Sequence, residues 1–173
     1  YKVALYQSGT KKYEQTAGST KTVTFTGVAA GTYDVYASKY SGATGTYVDT
    51  GSDVTITTGT TSPGTASATV NYYTITRSQG TGTTLTTKLD SSSGTAFTNS
   101  IVLLGGNKVT LYASAVVNAG YYGTPSLKHG TTTMTASGST FMVSAAEAIT
   151  SSGATACPVG SITNTTNQTD WTP

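Results

Sequence analysis

The stretch Val23-Thr-Phe-Thr-Gly-Val-Ala-Ala-Gly-Thr-Tyr-Asp-Val-Tyr36 decides how the chain reads. Val23 and Phe25 alternate with threonines, and Tyr33 and Val35 alternate with polar neighbours. That period of two belongs to a strand with one buried face. Gly27 and Gly31 bound a tight connection between the two runs, so Phe25, Val28 and Tyr33 are expected to converge on one core. Threonine is β-branched. It disfavours helix, suits a pleated strand, and sets a neutral hydroxyl on the solvent face.

The pattern continues on both sides. Val3 and Leu5 alternate with their neighbours before a turn at Gly9-Thr10, and Tyr47-Val48 and Asp53-Val-Thr-Ile-Thr57 follow a flexible tip at Gly42 to Gly45. Pro63-Gly64 marks a turn, and residues 65–75 form a long run of strand formers. Later come 83–89, Ile101 to Leu104, a hairpin-type turn at Gly105-Gly106-Asn107, and Lys108-Val-Thr-Leu-Tyr-Ala-Ser-Ala115. Residues 131–135 and 140–144 read as strands, Asn118 to Gly123 as an aromatic loop, and Ala145-Ala-Glu-Ala-Ile149 as a helical turn too short to carry a helix. Apolar residues nowhere recur at helical spacing over three turns. Short strands punctuated about every ten residues suggest sandwiches or small barrels. The expected fold is all-β: two small tandem β-sandwich or β-grasp-like domains, 1–71 and 72–156. Residues 157–173 are then a polar linker or a tail exchanged with a neighbour.

Composition narrows the class. Charged residues make up 9% of the 173, and the net charge is +2. Clustered Lys and Arg mark nucleic-acid binders. Here the densest basic group, Lys11-Lys12, has Glu14 close behind and reads as a solvated edge or turn. Twelve tyrosines and recurring Val, Ile and Leu argue for a folded chain. The single cysteine, Cys157, excludes an intrachain disulfide and a cysteine-based metal site. No apolar run is long enough for a transmembrane helix or a signal peptide. A chain opening at Tyr1 directly in a strand pattern reads as a mature or excised piece of something longer.

Two stretches carry a resemblance. Residues 23–36 resemble the F-x-G-L-x-x-G-x-Y-x-V signature of Cna-B-like and related prealbumin-like surface domains, with Val28 in the Leu place. Tyr73-Thr-Ile-Thr, then Gly106-Asn-Lys-Val-Thr-Leu-Tyr-Ala-Ser-Ala-Val-Val-Asn-Ala-Gly-Tyr121, then Ser139-Thr-Phe-Met-Val143, resemble the InlB B-repeat of bacterial surface proteins. The resemblance implies stalk or adhesive modules and supplies no catalytic site. Cna-B-like domains often carry a Lys–Asn isopeptide bond. Lys2 and Asn71 stand at the corresponding places, while Tyr36-Ala37 occupy the place of the acid that promotes it.

Catalytic chemistry is sparse. The seven carboxylates are scattered; Asp49 and Asp53 share a segment and read as turn chemistry rather than a calcium loop. His129, the only histidine, precedes Gly130 and is expected in a loop, with no acid near it in sequence to orient it. Cys157, flanked by Ala156 and Pro158, has no base beside it. Among the tyrosines near loops (Tyr40, Tyr47, Tyr121 and Tyr122), Tyr121 and Tyr122 are the candidate ligand platform. Asn164 and Asn167 head N-x-T glycosylation patterns.

These readings lead to an expectation, not to an activity: a non-enzymatic, extracellular structural or adhesive segment of a bacterial cell-surface protein. It would need no cofactor or metal, and its partners would be neighbouring repeats, other copies or glycans rather than nucleic acid or membrane. The alternatives are a pilus or filament subunit built by strand exchange, and a carbohydrate-binding module.

Overall fold

The segment 23–36 crosses from one sheet to another. In the computed structural model, which describes residues 1–17, 22–40, 46–57, 63–105 and 109–159, the first strands are β1 (Lys2–Gln7), β2 (Thr10–Thr16), β3 (Thr22–Val28), β4 (Gly31–Ser38), β5 (Tyr47–Ile56) and β6 (Gly64–Thr69). They form a four-stranded antiparallel sheet, β2-β1-β4-β5, and a two-stranded one, β3-β6. β3 therefore does not pair with β4. The chain leaves one layer at Val28 and enters the other at Gly31. Phe25, Val28 and Tyr33 are nearly fully buried, as their period of two requires. Gly27 has φ +72 at a break in the β3–β6 register, a backbone that favours glycine. The Tyr33 hydroxyl donates to the Ala29 carbonyl at 3.0 Å, and the Ala29 amide donates to the Tyr13 hydroxyl at 3.0 Å, so two tyrosines clasp the crossing.

The remaining strands are β7 (Tyr72–Ser78), β8 (Thr83–Leu89), β9 (Ser100–Leu104), β10 (Thr110–Val117), β11 (Tyr121–Tyr122), β12 (Ser126–His129), β13 (Thr132–Met134), β14 (Ser139–Met142), β15 (Glu147–Ser152) and β16 (Thr155–Ala156). They build a five-stranded sheet, β13-β12-β15-β7-β9, a three-stranded sheet, β14-β10-β8, and the short pair β11-β16. β7 and β15 run parallel, tying residue 75 to residue 147. Between the layers lie Ile75, Leu85, Leu103, Leu111, Leu127 and Ile149, all at most 2% exposed. A hydroxyl pair is buried with them: Thr83 and Ser151 share a 2.7 Å hydrogen bond, Thr83 Oγ1 also donates to the Gly80 carbonyl, and the Gly80 amide donates to Ser151 Oγ.

Several local expectations change. Of the expected helical turn 145–149, residues 147–149 belong to strand β15: pairing with β7 and β12 outweighs the helix propensity of three alanines and a glutamate. The two pieces around 47 and 53 are one strand, β5, whose bulge hides the alternation. The run 65–75 breaks at Asn71 into β6 and β7. β9 and β10 lie in different sheets and are not hairpin partners; residues 106–108 and the tip at 41–45 lie outside the described residues. His129 ends a strand instead of sitting in a loop.

No sheet contains strands from both sides of Asn71, yet the buried residues of the two sets form one contiguous cluster. The join is specific. Tyr40 bridges Leu103 in antiparallel fashion, the Leu104 amide donates to the Lys39 carbonyl at 2.9 Å, and the Gly105 amide donates to the Asn71 carbonyl at 2.9 Å. Residues 39–40 thus extend the five-stranded sheet beyond β9. Tyr72 stacks on Tyr1 with centroids 4.2 Å apart and donates its hydroxyl to the Ser38 carbonyl at 2.7 Å. Lys39 pairs with Asp90 across the same join.

Candidate functional site

The outward face of β2-β1-β4-β5 gathers a cluster of aromatic and charged side chains. Val3, Leu5, Tyr33, Val35 and Ala37 point into the core, so their alternating neighbours point out. The registers place Lys2, Ala4 and Tyr6 of β1 beside Ser38, Tyr36 and Asp34 of β4. Glu14 of β2 lies opposite Ala4, and Tyr47, Asp49 and Asp53 of β5 lie opposite Ser38, Tyr36 and Asp34.

Tyr47 organises one half. Its hydroxyl donates to Glu14 Oε2 on the far edge strand, so its ring lies across the two intervening strands. The residues along that path are small: Ala4 is fully buried and Ser38 is 2% exposed. Ser38 is further held by Lys2, whose amide donates to its Oγ at 3.0 Å. Glu14 also accepts from Lys2 Nζ at 2.7 Å and Lys11 Nζ at 2.5 Å, and Lys11 stands 5.3 Å from the Tyr47 ring centroid. Hydrogen bonds from Lys11, Lys2 and Tyr47 hold the Glu14 carboxyl down at about 2. The Lys11 ammonium is raised by its bond to Glu14. Burial, and then Glu14, push the Tyr47 phenol up.

The other half has the same chemistry in a different balance. The Tyr6 and Tyr36 rings pack at a 33° tilt with centroids 4.2 Å apart, and Tyr47 lies 6.3 Å from Tyr6. Asp34 and Asp53 face each other across β4 and β5. Asp49 Oδ1 accepts the Gly51 amide at 2.7 Å, closing the local turn that its sequence suggests.

The residues singled out in the sequence are dispersed. Lys2 is committed to Glu14, whereas Asn71 lies at the join with its carbonyl bonded to Gly105. Tyr121 and Tyr122 are consecutive strand residues and therefore point to opposite faces. The Tyr121 ring covers Gly82, where a Cβ would come within 2.2 Å of it, while Tyr122 is 56% exposed. Tyr40 serves the join. Cys157 is exposed, and its amide donates to the Gly120 carbonyl at 2.9 Å. Asn164 and Asn167, with the tail from 160 to 173, lie outside the described residues.

His129 has a partner that sequence distance conceals. Its Nδ1 lies 2.8 Å from Glu147 Oε2, and its ring stacks on Phe141 at 4.3 Å between centroids and 5° between planes. A histidine–carboxylate pair orients an imidazole. Strand pairing of β12 with β15 brings the two together across 18 residues. Among the described residues no three His, Cys, Asp or Glu side chains are grouped to hold a metal ion, and no helix is long and apolar enough to cross a membrane. Comparison with family models, curated proteins and solved structures finds no match to this chain.

Proposed function

We propose that the chain is an extracellular structural or adhesive segment of a bacterial cell-surface protein, acting as a stiff spacer that presents an aromatic and charged sheet face. The observation that carries this reading is the join at Asn71. Two sets of sheets connected by only two residues, Val70 and Asn71, would ordinarily swing about them. Here backbone pairing at Tyr40–Leu103, the Tyr1–Tyr72 stack and the Lys39–Asp90 pair oppose that motion. Exposed strand faces support the same reading. They carry neutral hydroxyls paired across strands, such as Thr22–Thr69 at 3.0 Å and Thr32–Thr55 at 3.2 Å, a surface that is hydrated with little net charge.

The test is surface labelling combined with scattering. Antibody raised against this segment should stain intact source cells and lose its signal after protease shaving. Small-angle scattering of the purified segment should give one extended, rigid particle. Staining only after lysis, or scattering that requires an ensemble of bent shapes, refutes the reading.

A further inference from the structure

We infer that the free edge of β6 pairs with the same edge of a second copy of this chain, joining the two β3-β6 sheets into one four-stranded antiparallel sheet. The pairing is independent of the cellular role proposed above.

Edge strands expose unpaired backbone groups, and folded proteins guard them with charge, bulges, short length or a cover. The other edges of this fold are guarded. β2 carries Lys11, Lys12 and Glu14, and β5 carries Asp49, Asp53 and a bulge. β8 carries Lys88, β13 and β14 have three and four residues, and residues 39–40 cover β9. β3 has the break at Gly27. Over residues 65–69 β6 has none of these devices. The stretch 64–70 holds no charge and no proline, and among the described strands only β3 pairs with β6.

The space beside β6 is open. Ile56 of β5 lies against Gly64, where a Cβ would come within 2.8 Å of it, so β6 runs above β5. At the other end of β6 a cavity of about 130 Å³ opens between Thr50 and Ser52 of β5 and the pair Thr69 and Val70. Val48, Val54 and Ile56 of β5 stay only partly buried. A strand added beside β6 lies over them and removes apolar surface from water.

Symmetry and chemistry select a second copy. Antiparallel pairing about a two-fold axis at Ser67 sets Ser67 opposite Ser67, Ala66 opposite Ala68 and Thr65 opposite Thr69 of the other copy. Small alanines meet on the inner face and hydroxyls on the outer one. β6 already pairs hydroxyls in this way with β3, at Thr22–Thr69 and Thr24–Ser67. An uncharged edge lets two identical copies approach without like-charge repulsion, whereas a charged partner strand finds no counter-charge there.

The test combines sedimentation of the whole purified segment with amide exchange. The segment should dimerise reversibly, and the amides of 65–69 should gain protection as concentration rises. Ser67→Lys sets two ammonium groups opposite each other and should weaken the dimer about five-fold. Thr24→Lys, one strand further in, should leave it unchanged. The register has its own check. A Thr65→Lys, Thr69→Lys double variant and a Thr65→Glu, Thr69→Glu double variant should each be monomeric alone and form a mixed dimer when combined. A monomer at millimolar concentration overturns the proposal, as does a dimer whose 65–69 amides stay unprotected. So does equal dimerisation of the wild type and Ser67→Lys, or failure of the two double variants to combine. Growth into longer polymers also overturns it, because a two-fold pairing closes at two copies.

Discussion

Tyr72 stacks on Tyr1 and donates its hydroxyl to the Ser38 carbonyl, so one side chain ties the first strand, the end of β4 and the start of β7 together. Burial, with Tyr1 beside it, pushes its phenol above the ordinary value, keeping the hydroxyl a donor across the physiological range. Removing only the hydroxyl, Tyr72→Phe, should cost about 1 kcal/mol, measured by denaturant unfolding. Tyr72→Ala should cost about 2–4 kcal/mol, since the ring is only partly buried, and should widen the scattering envelope.

Glu14 makes stability depend on pH in a defined window. Its folded value of about 2 lies below the ordinary 4.5, so the folded form favours the charged carboxylate. The stabilisation is complete above about 4.5 and is lost as pH falls through 2. Melting temperature measured against pH should therefore decline over this interval. Glu14→Gln should lower it at neutral pH and flatten this decline. Tyr47→Phe, which removes one of the three donors, should move the Glu14 titration up towards the ordinary carboxyl range in NMR.

The buried hydroxyl pair at Thr83 and Ser151 fixes the β7–β8 turn against β15. Thr83→Val keeps the shape but leaves the Gly80 carbonyl without that donor and the Ser151 hydroxyl without its acceptor. It should destabilise by about 1–3 kcal/mol and raise amide exchange at Gly80.

The contiguous core predicts coupling across Asn71. Phe25→Ala and Ile149→Ala each empty a fully buried site in a different set of sheets and should each cost about 2–5 kcal/mol. Both should shift one common calorimetric transition. Two transitions, each moved by only one of the variants, would show that the two sets unfold separately.

The alternation at 23–36 was sufficient to place Val23, Phe25, Tyr33 and Val35 inward, because burial of every second residue is a local consequence of the pleat. The reading was weaker where pairing overrides local preference. Residues 147–149 look helical in isolation and become strand only because β7 and β12 offer partners on both sides. The β5 bulge breaks the period of two between Asp49 and Asp53, so one strand reads as two fragments.

The outward face was the least legible part. Lys11 and Glu14 are close in sequence and read as a solvated edge. Tyr47 is 33 residues from Glu14 and joins it only by reaching across two strands. His129 and Glu147 meet for the same reason. The sequence by itself determined the all-β class and the inward faces, since these follow from residue type and period. Tertiary structure alone decided which charges share a face and how the two sets of sheets join, because sheet order and register carry distant strands to within hydrogen-bond reach and leave no trace in local composition.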